Sequence, residues 1–376
     1  MEMVKILHCA DIHFDTPFQG LTAMESQGRK EDLRETFGRI IEIVKEQKIP
    51  ILLIGGDLFD HHKTTKSTLE YIMNKFKEIE EVKVFIAPGN HDPYTAKSFY
   101  SILTWPANVH IFKNALEQVY IPELNTLIYG IAFSNSHEKQ CLIHGFHVED
   151  REAIHIMVLH GDVVGKGQAS DYNPITMDII ENSGLDYLAL GHKHGYSGIS
   201  KVGSTSWAYA GNPEGRGFDE LGPKGIIVGE VGKNHCQLNY VEIAKRRHWD
   251  VKVDISGVYT YEEIVRKCTY EINVGDRQRD IYRITLIGEM DGEFSIFKSI
   301  LKDKLNSDFY RVKIEDNTKI ALNYSSLEEE FSLKGIFVRK IREKLASTED
   351  QNERNKLEEA LKVGLRAMDV GKVEIE

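Results

Sequence analysis

In the first half of the chain, short runs of β-branched and aliphatic residues alternate with longer stretches in which apolar side chains recur every three or four positions. The run at 4–9 predicts a strand. Residues 31–48 predict an amphipathic helix with Leu33, Phe37, Ile40, Ile41 and Val44 on one face. Further strands are predicted at 49–54 and 82–87, with a helix at 67–79 between them. Strands and helices alternating in this way are the pattern of βαβ units around a parallel sheet. Each strand ends in a short polar loop: Ala10-Asp11-Ile12-His13, Gly55-Gly56-Asp57-Leu58-Phe59-Asp60 and Pro88-Gly89-Asn90-His91-Asp92. In open α/β sheets ligand sites lie just beyond the carboxyl ends of strands, on loops that the sheet holds still.

From about Val109 strands dominate. Residues 127–132 predict one. The run at 154–159 ends at His160-Gly161, and the run at 185–190 ends at Gly191-His192-Lys193-His194. Gly-rich hairpins follow at 204–210 and 225–231, which completes a two-sheet sandwich with outer helices. A second unit begins near Trp249. Its order is strand (251–255), helix (261–272), strand (280–287), helix (293–305), strand (309–314), the pattern of a small α+β domain. Beyond Leu327, the residues Phe331, Ile336, Phe337, Val338, Ile341 and Leu345 recur with helical spacing. A polar break at 347–355 precedes another helix at 357–368. The expected division is therefore 1–245 for the catalytic domain, 246–325 for an α+β cap and 326–376 for a C-terminal helical segment. There is no internal repeat and no low-complexity tract.

Composition narrows the class. A chain of 376 residues exceeds one ordinary core, and 41% hydrophobic with 28% charged residues is the balance of a globular protein. No apolar run is long enough to span a bilayer, and residues 1–10 run straight into Asp11-Ile12-His13 as a first strand and not a leader. Cys9, Cys141, Cys236 and Cys268 are scattered, which argues against a disulfide framework or a thiolate zinc site and for a reducing cytoplasm. The net charge of −11 argues against a surface that coats nucleic acid but leaves room for a local basic track. Several acidic residues would be neutralised by bound metal, and others gather at Glu328, Glu329, Glu330, Glu358 and Glu359.

The candidate chemistry lies in the strand-end loops. One Asp-x-His, or one Asp at a strand end, has an ordinary structural reading as a packed or capping residue. A series of loops, each delivering carboxylate, imidazole or amide to the same sheet edge, has a different meaning. Mixed O/N donors of this kind suit Mn²⁺ or Fe²⁺, and cysteine is absent from every loop. Other histidines carry no such argument. His144-Gly145-Phe146-His147 follows no long strand, His61 and His62 read as exposed, His8 as a packed or edge residue, and His110, His137 and His155 as structural.

Asp11-x-His13, Gly56-Asp57-x-x-Asp60, Gly89-Asn90-His91-Asp92, His160-Gly161 and Gly191-His192-x-His194 together resemble the ordered motif set of the calcineurin-like metallophosphoesterases. The resemblance covers residues 1 to about 240 and implies an α/β fold, the two-sheet metallophosphoesterase sandwich flanked by helices. Gly-Asp-Leu-Phe-Asp and the stretch Gly211-Asn-Pro-Glu-Gly-Arg-Gly-Phe-Asp-Glu220 are similar to bacterial SbcD-like DNA repair exonucleases of the YhaO-type branch. The resemblance implies one metal on Asp11, His13, Asp57 and His194 and another on Asp57, Asn90, His160 and His192. Mn would be the natural metal, with Fe, Mg or Zn as alternatives. A shared carboxylate offsets repulsion between two dications about 3.5–4 Å apart, and a water between them would become the nucleophile that attacks phosphorus. His91 is expected to protonate the leaving oxygen, with Asp60 orienting it; the competing reading of Asp60 is a helix cap.

The resemblance further implies DNA as substrate, an SMC-like ATPase (SbcC or YhaN type) as partner through the C-terminal helices, and a homodimer. Arg216, Lys224, Arg246 and Arg247, the last two within Lys245-Arg246-Arg247-His248, are the candidate backbone-phosphate contacts. That basic run reads equally as a solvated hinge. The stripe Phe331, Phe337, Val338 and Ile341 fits a partner's groove or this chain's own packing. Two other functions stay open: a phosphatase or phosphodiesterase acting on nucleotides or other non-DNA phosphoesters, and a non-catalytic scaffold for DNA ends or the ATPase.

Overall fold

The first strand, Met3–Cys9, sorts its side chains by parity. Val4 and Ile6 are buried with Ile51, Leu53, Phe85, Ile128, Ile156, Val158 and Ala189 between two sheets. Leu7 and Cys9 point the other way, into a layer with Leu33, Phe37, Ile40, Val44, Ile72 and Phe76 from the outer helices. Both faces are covered, so the strand reads as a continuous apolar run. These features come from a computed structural model of the chain, which describes residues 3–18, 20–60, 63–149, 152–270, 272–291, 296–321 and 324–370. His61 and His62 lie outside the described residues.

The chain forms two compact units. The first comprises Met1–Asp250, Val274–Arg283 and Phe309–Arg311, and the second Val251–Asn273, Ile284–Asp308 and Val312–Glu376. In the first unit, one six-stranded sheet has the order His235–Glu242, Gly225–Gly232, Met3–Cys9, Ile51–Ile54, Lys83–Ile86, Val109–Ile111. The other has the order Ser200–Val202, Thr205–Tyr209, Tyr187–Gly191, Ile154–His160, Thr126–Gly130, Glu117–Ile121. Met3–Cys9, Ile51–Ile54 and Lys83–Ile86 run parallel in one sheet, and Ile154–His160 and Tyr187–Gly191 run parallel in the other. The α/β two-sheet sandwich expected from the sequence is the observed fold.

The helix expected at 31–48 spans Ala23–Glu46. It starts at a capping box, in which the Thr22 hydroxyl accepts from Glu25 N–H while the Glu25 carboxylate accepts from Thr22 N–H. The turns before residue 31 lack an apolar stripe. They bury the charged Arg29, so periodicity does not reveal them.

In the second unit, Tyr261–Tyr270 and Lys298–Leu305 bury Ile264, Cys268, Leu301 and Leu305. A three-stranded sheet whose strands begin in the first unit's residues has the order His248–Asp254, Ile281–Ile287, Arg311–Asp316. The last helices, Leu333–Ser347 and Gln351–Val370, pack through Val338, Leu361 and Leu365, with Phe337 and Ile341 beside them. Much of the apolar stripe is thus used within this chain, whereas Phe331, Leu333 and Ile336 are exposed. No helix among the described residues is long and apolar enough to cross a membrane.

His8 links the sheets. Its Nδ1 lies 2.9 Å from the Tyr187 hydroxyl and its Nε2 lies 3.2 Å from Leu190 O. Burial pushes this imidazole down from 6.5 to about 3, partly opposed by the Leu190 carbonyl. The folded state therefore keeps His8 neutral, while the unfolded chain takes up a proton once pH falls below the ordinary value. His8 contributes stability above 6.5 that is lost as pH falls from 6.5 towards about 3. In urea titrations, His8→Gln should be less stable than wild type near neutrality. It should also lose about 2 kcal/mol less than wild type on going from about pH 7 to about pH 5. Equal losses would refute this role.

Candidate active site

The loops that leave the parallel strands meet where the two sheets approach. Gly55 and Gly191 are in backbone contact there, and a Cβ on Gly191 would collide with Gly55 O. The loop after Met3–Cys9 runs alongside the loop after Ile51–Ile54, with Asp11 N–H donating to Gly56 O at 3.0 Å and His13 N–H to Asp57 O at 2.9 Å. Asp11 (φ 53), His13 (φ 53), Asp57 (φ 50) and His192 (φ 106) all adopt the left-handed backbone that L-residues avoid. Strained backbone of this kind concentrates where a side chain must be aimed against local preference.

A buried carboxylate joins two of these loops. Asp92 accepts from Asp57 N–H (3.1 Å), Leu58 N–H (2.7 Å), Gly89 N–H (2.8 Å) and the Tyr100 hydroxyl (2.7 Å). Gly89 leaves room for this closure, because a Cβ there would strike Asp57 Oδ1 and His160.

The residues singled out by their motifs converge. His160 Nδ1 is 2.8 Å from Gly55 O, which can only accept, so the proton sits on Nδ1 and Nε2 is a bare lone pair. That Nε2 faces Asn90 Oδ1 at 2.9 Å and Asp57 Oδ2 at 3.5 Å. Three acceptors meet with no proton between them. On the other side of Asp57, His13 donates Nδ1–H to Asp60 Oδ1 at 2.9 Å, so its bare Nε2 lies 3.6 Å from Asp57 Oδ2. His194 Nε2 is 3.3 Å from His13 Nε2. The ligand atoms of Asp11, His13 and His194 lie within 4.8 Å of one another, as do those of Asp11, Asp57 and His160. Asp11 also accepts His192 N–H at 3.0 Å, and the His192 ring lies 5.2 Å from that of His160.

Electrostatics makes the same point. Burial, then the charge of Asp57, pushes the Asp11 carboxyl well above its ordinary value. Burial also opposes ionisation of Asp57, but the raised His91 imidazole and the His91 backbone N–H help to hold it below the ordinary range. Two adjoining buried carboxylates and a set of converging lone pairs fit divalent cations, whose charge would offset the cost of burial.

His91 is set differently. Its side chain is 47% exposed, its N–H donates to Asp57 Oδ1 at 2.9 Å, and its Nδ1 lies 3.2 Å from Asp60 Oδ1. The Asp60 hydrogen bond raises the imidazole above its ordinary value despite partial burial. Asp60 therefore touches both His13 and His91. The N-cap of the following helix is Thr65, so Asp60 is not that cap.

The four candidate phosphate contacts are committed to internal partners. Arg216 pairs with Glu220 at 2.7 Å beside His194, and Lys224 Nζ donates to His194 O at 2.8 Å. Arg246 pairs with Asp32 at 2.9 Å, and Arg247 with Asp280, Asp276 and Glu242. Two acidic residues that motif reading left without a role also touch the site, Asp92 and Glu220. Asp92 directly follows His91, and only the folded loop reveals that it holds Asp57. Glu220 closes the stretch from Gly211 whose spelling resembles the SbcD-like nucleases, and the fold of that turn brings it to His194 at 2.7 Å. His144 and His147 lie in a surface turn away from these residues.

Comparison with known proteins identifies the family. Residues 4–196 match the calcineurin-like phosphoesterase family. The chain is 28% identical over 237 residues to the uncharacterized metallophosphoesterase YhaO of Bacillus subtilis, covering 61% of this chain and 57% of that protein. It is 26% identical over 288 residues to the DNA double-strand break repair protein Mre11 of Methanopyrus kandleri, covering 70% and 62% respectively. With the Mre11 protein of Saccharolobus solfataricus, identity is 23% over 337 residues, covering 86% and 85%. The chain thus spans less than two thirds of the length of the first two relatives. With more than half of its 376 residues inside the family match and a cation-ready cluster at the shared sheet edge, the chain belongs to the calcineurin-like phosphoesterases, which are metal-dependent hydrolases.

Proposed function

We propose that this protein is a two-metal phosphodiesterase that acts on DNA as an exo/endonuclease in repair, as the nuclease subunit of a complex with an SMC-like ATPase. The observation that carries the chemistry is the convergence of proton-free acceptors on either side of Asp57. One metal position would be held by Asp11, His13, Asp57 and His194, and the other by Asp57, Asn90, His160 and His192. Mn²⁺ suits this mixed O/N donor set, as do Fe²⁺, Mg²⁺ or Zn²⁺ to differing degrees. Two such ions supply Lewis-acid polarisation of the phosphoryl oxygens and an acidified water.

The remaining steps belong to the chain. Asp60 strengthens the hold of His91 on its proton, and the half-exposed ring is placed to give that proton to the leaving oxygen. Asp60 simultaneously fixes His13 by accepting its Nδ1–H. Asp92 fixes Asp57 through the backbone. The relatives named as DNA double-strand break repair proteins support DNA as the substrate class. The exposed Phe331, Leu333 and Ile336 support a docking role for the C-terminal helices. One observation favours the rival, hydrolysis of nucleotides or other non-DNA phosphoesters: Arg216, Lys224, Arg246 and Arg247 are all internally paired.

A Mn²⁺-dependent digestion of linear duplex DNA decides between them. Wild type should degrade the duplex and Asp57→Ala should abolish degradation. Robust phosphate release from nucleotides with no cleavage of DNA would replace the nuclease by the rival, and cleavage surviving Asp57→Ala would sink the two-metal mechanism. For His91→Ala, kcat should fall by about 10²–10⁴-fold while Mn²⁺ binding by calorimetry is retained. An unchanged kcat would remove His91 from the chemistry.

A further inference from the structure

His13, His160 and His194 turn Nε2 towards the site, and the partner of each Nδ1 decides whether that Nε2 is bare. For His13 and His160 that partner can only accept, namely Asp60 and Gly55 O. His194 is different. Its Nδ1 lies 2.7 Å from Glu220 Oε1 and 2.8 Å from Arg216 Nη2, and those two atoms are 2.7 Å apart. An ionised carboxylate only accepts and a guanidinium only donates. Nδ1 therefore either gives its proton to Glu220, leaving Nε2 bare, or accepts from Arg216, placing the proton on Nε2.

Glu220 is built not to move. Its Oε2 accepts from Asn212 Nδ2 at 2.6 Å and from Arg216 N–H at 2.8 Å, and its Oε1 also accepts Arg216 Nε at 3.0 Å. The turn that carries it is tied down in turn. Asn212 Nδ2 donates to Glu214 O at 3.0 Å, while the buried Arg29 donates to Glu214 Oε1 at 2.8 Å and to Gly215 O at 2.7 Å. A chain of contacts thus runs from the first helix through residues 214–215 to Glu220 and on to His194.

We propose that Glu220 is a positioning residue of the metal centre, accepting the Nδ1 proton of His194 and so fixing the tautomer whose bare Nε2 faces Asp11 and His13. This rests on the two-metal reading above. Without a cation the opposite tautomer is also satisfied, since Nε2–H then faces the bare Nε2 of His13 at 3.3 Å while Arg216 donates to Nδ1. A cation between His13 and His194 is compatible only with the Glu220-bound form.

Nitrogen-15 NMR of histidine-labelled protein, with Zn²⁺ as diamagnetic probe, reads the tautomer directly. In loaded wild type His194 should carry its proton on Nδ1, and a loaded protein with the proton on Nε2 overturns the proposal. Calorimetry with Mn²⁺ gives the second arm. The isosteric Glu220→Gln should weaken one of two binding events by roughly 10–100-fold and leave the other unchanged. If folded Glu220→Gln binds both ions as wild type does, the positioning role fails. If wild type itself binds fewer than two ions, it is the two-metal reading that fails. Should Glu220→Gln not fold, the wild-type tautomer alone still decides.

Discussion

Asp11 and Asp57 hold their carboxylates out of water at the line where two β-sheets meet, and the surroundings are organised to tolerate that charge. An isolated buried carboxylate costs several kcal/mol, and two together cost more, unless hydrogen bonds and positive charge compensate them. Within the chain the compensation is incomplete. Asp57 has backbone and imidazole partners enough to stay ionised, whereas Asp11 is pushed up by burial and by its neighbour. Asp92, a third buried carboxyl nearby, is raised to about 7 by burial and by Asp57 despite its donors. The remaining deficit is the part that divalent cations would fill, which is why the bare nitrogens of His13 and His160 turn inward.

Holding such groups in place has structural consequences. Non-glycine residues accept left-handed backbone at Asp11, His13 and Asp57, while Gly55 and Gly191 permit close backbone contact and Gly89 leaves room for the Asp57 and His160 side chains. Strain of this sort costs on the order of 1–3 kcal/mol per residue and persists only where packing over-determines the conformation. Here the packing is supplied by sheets buried on both faces, with His8 and Tyr187 joining them through the core. The outer partners Asp60, Asp92 and Glu220 then fix orientation in a way that a sheet edge alone does not.

Much of this was legible in the sequence because the strands are short apolar runs that each end in a chemically loaded loop. Parallel strands deliver their carboxyl ends to one edge, so locating the strands also located Asp11, His13, Asp57, Asn90, His160, His192 and His194 together. Elements without local periodicity were not legible. The start of the first helix lies in polar turns behind a capping box at Thr22. Residues 274–283 and 309–311 join the first unit through ion pairs such as Arg247 with Asp280, which couple positions distant in sequence. For the same reason the basic run at 245–248 looked available for a polyanion, although its arginines are bound to acidic partners. The role of Glu220 is not legible because it depends on a loop folding back onto His194.

If the acceptors around Asp57 form two cation positions that share its carboxylate, anomalous diffraction from crystals soaked in Mn²⁺ should show them. Two peaks about 3.5–4 Å apart are expected on either side of Asp57, one beside Asp11, His13 and His194 and the other beside Asn90, His160 and His192. A single peak, or none among these residues, would contradict that arrangement.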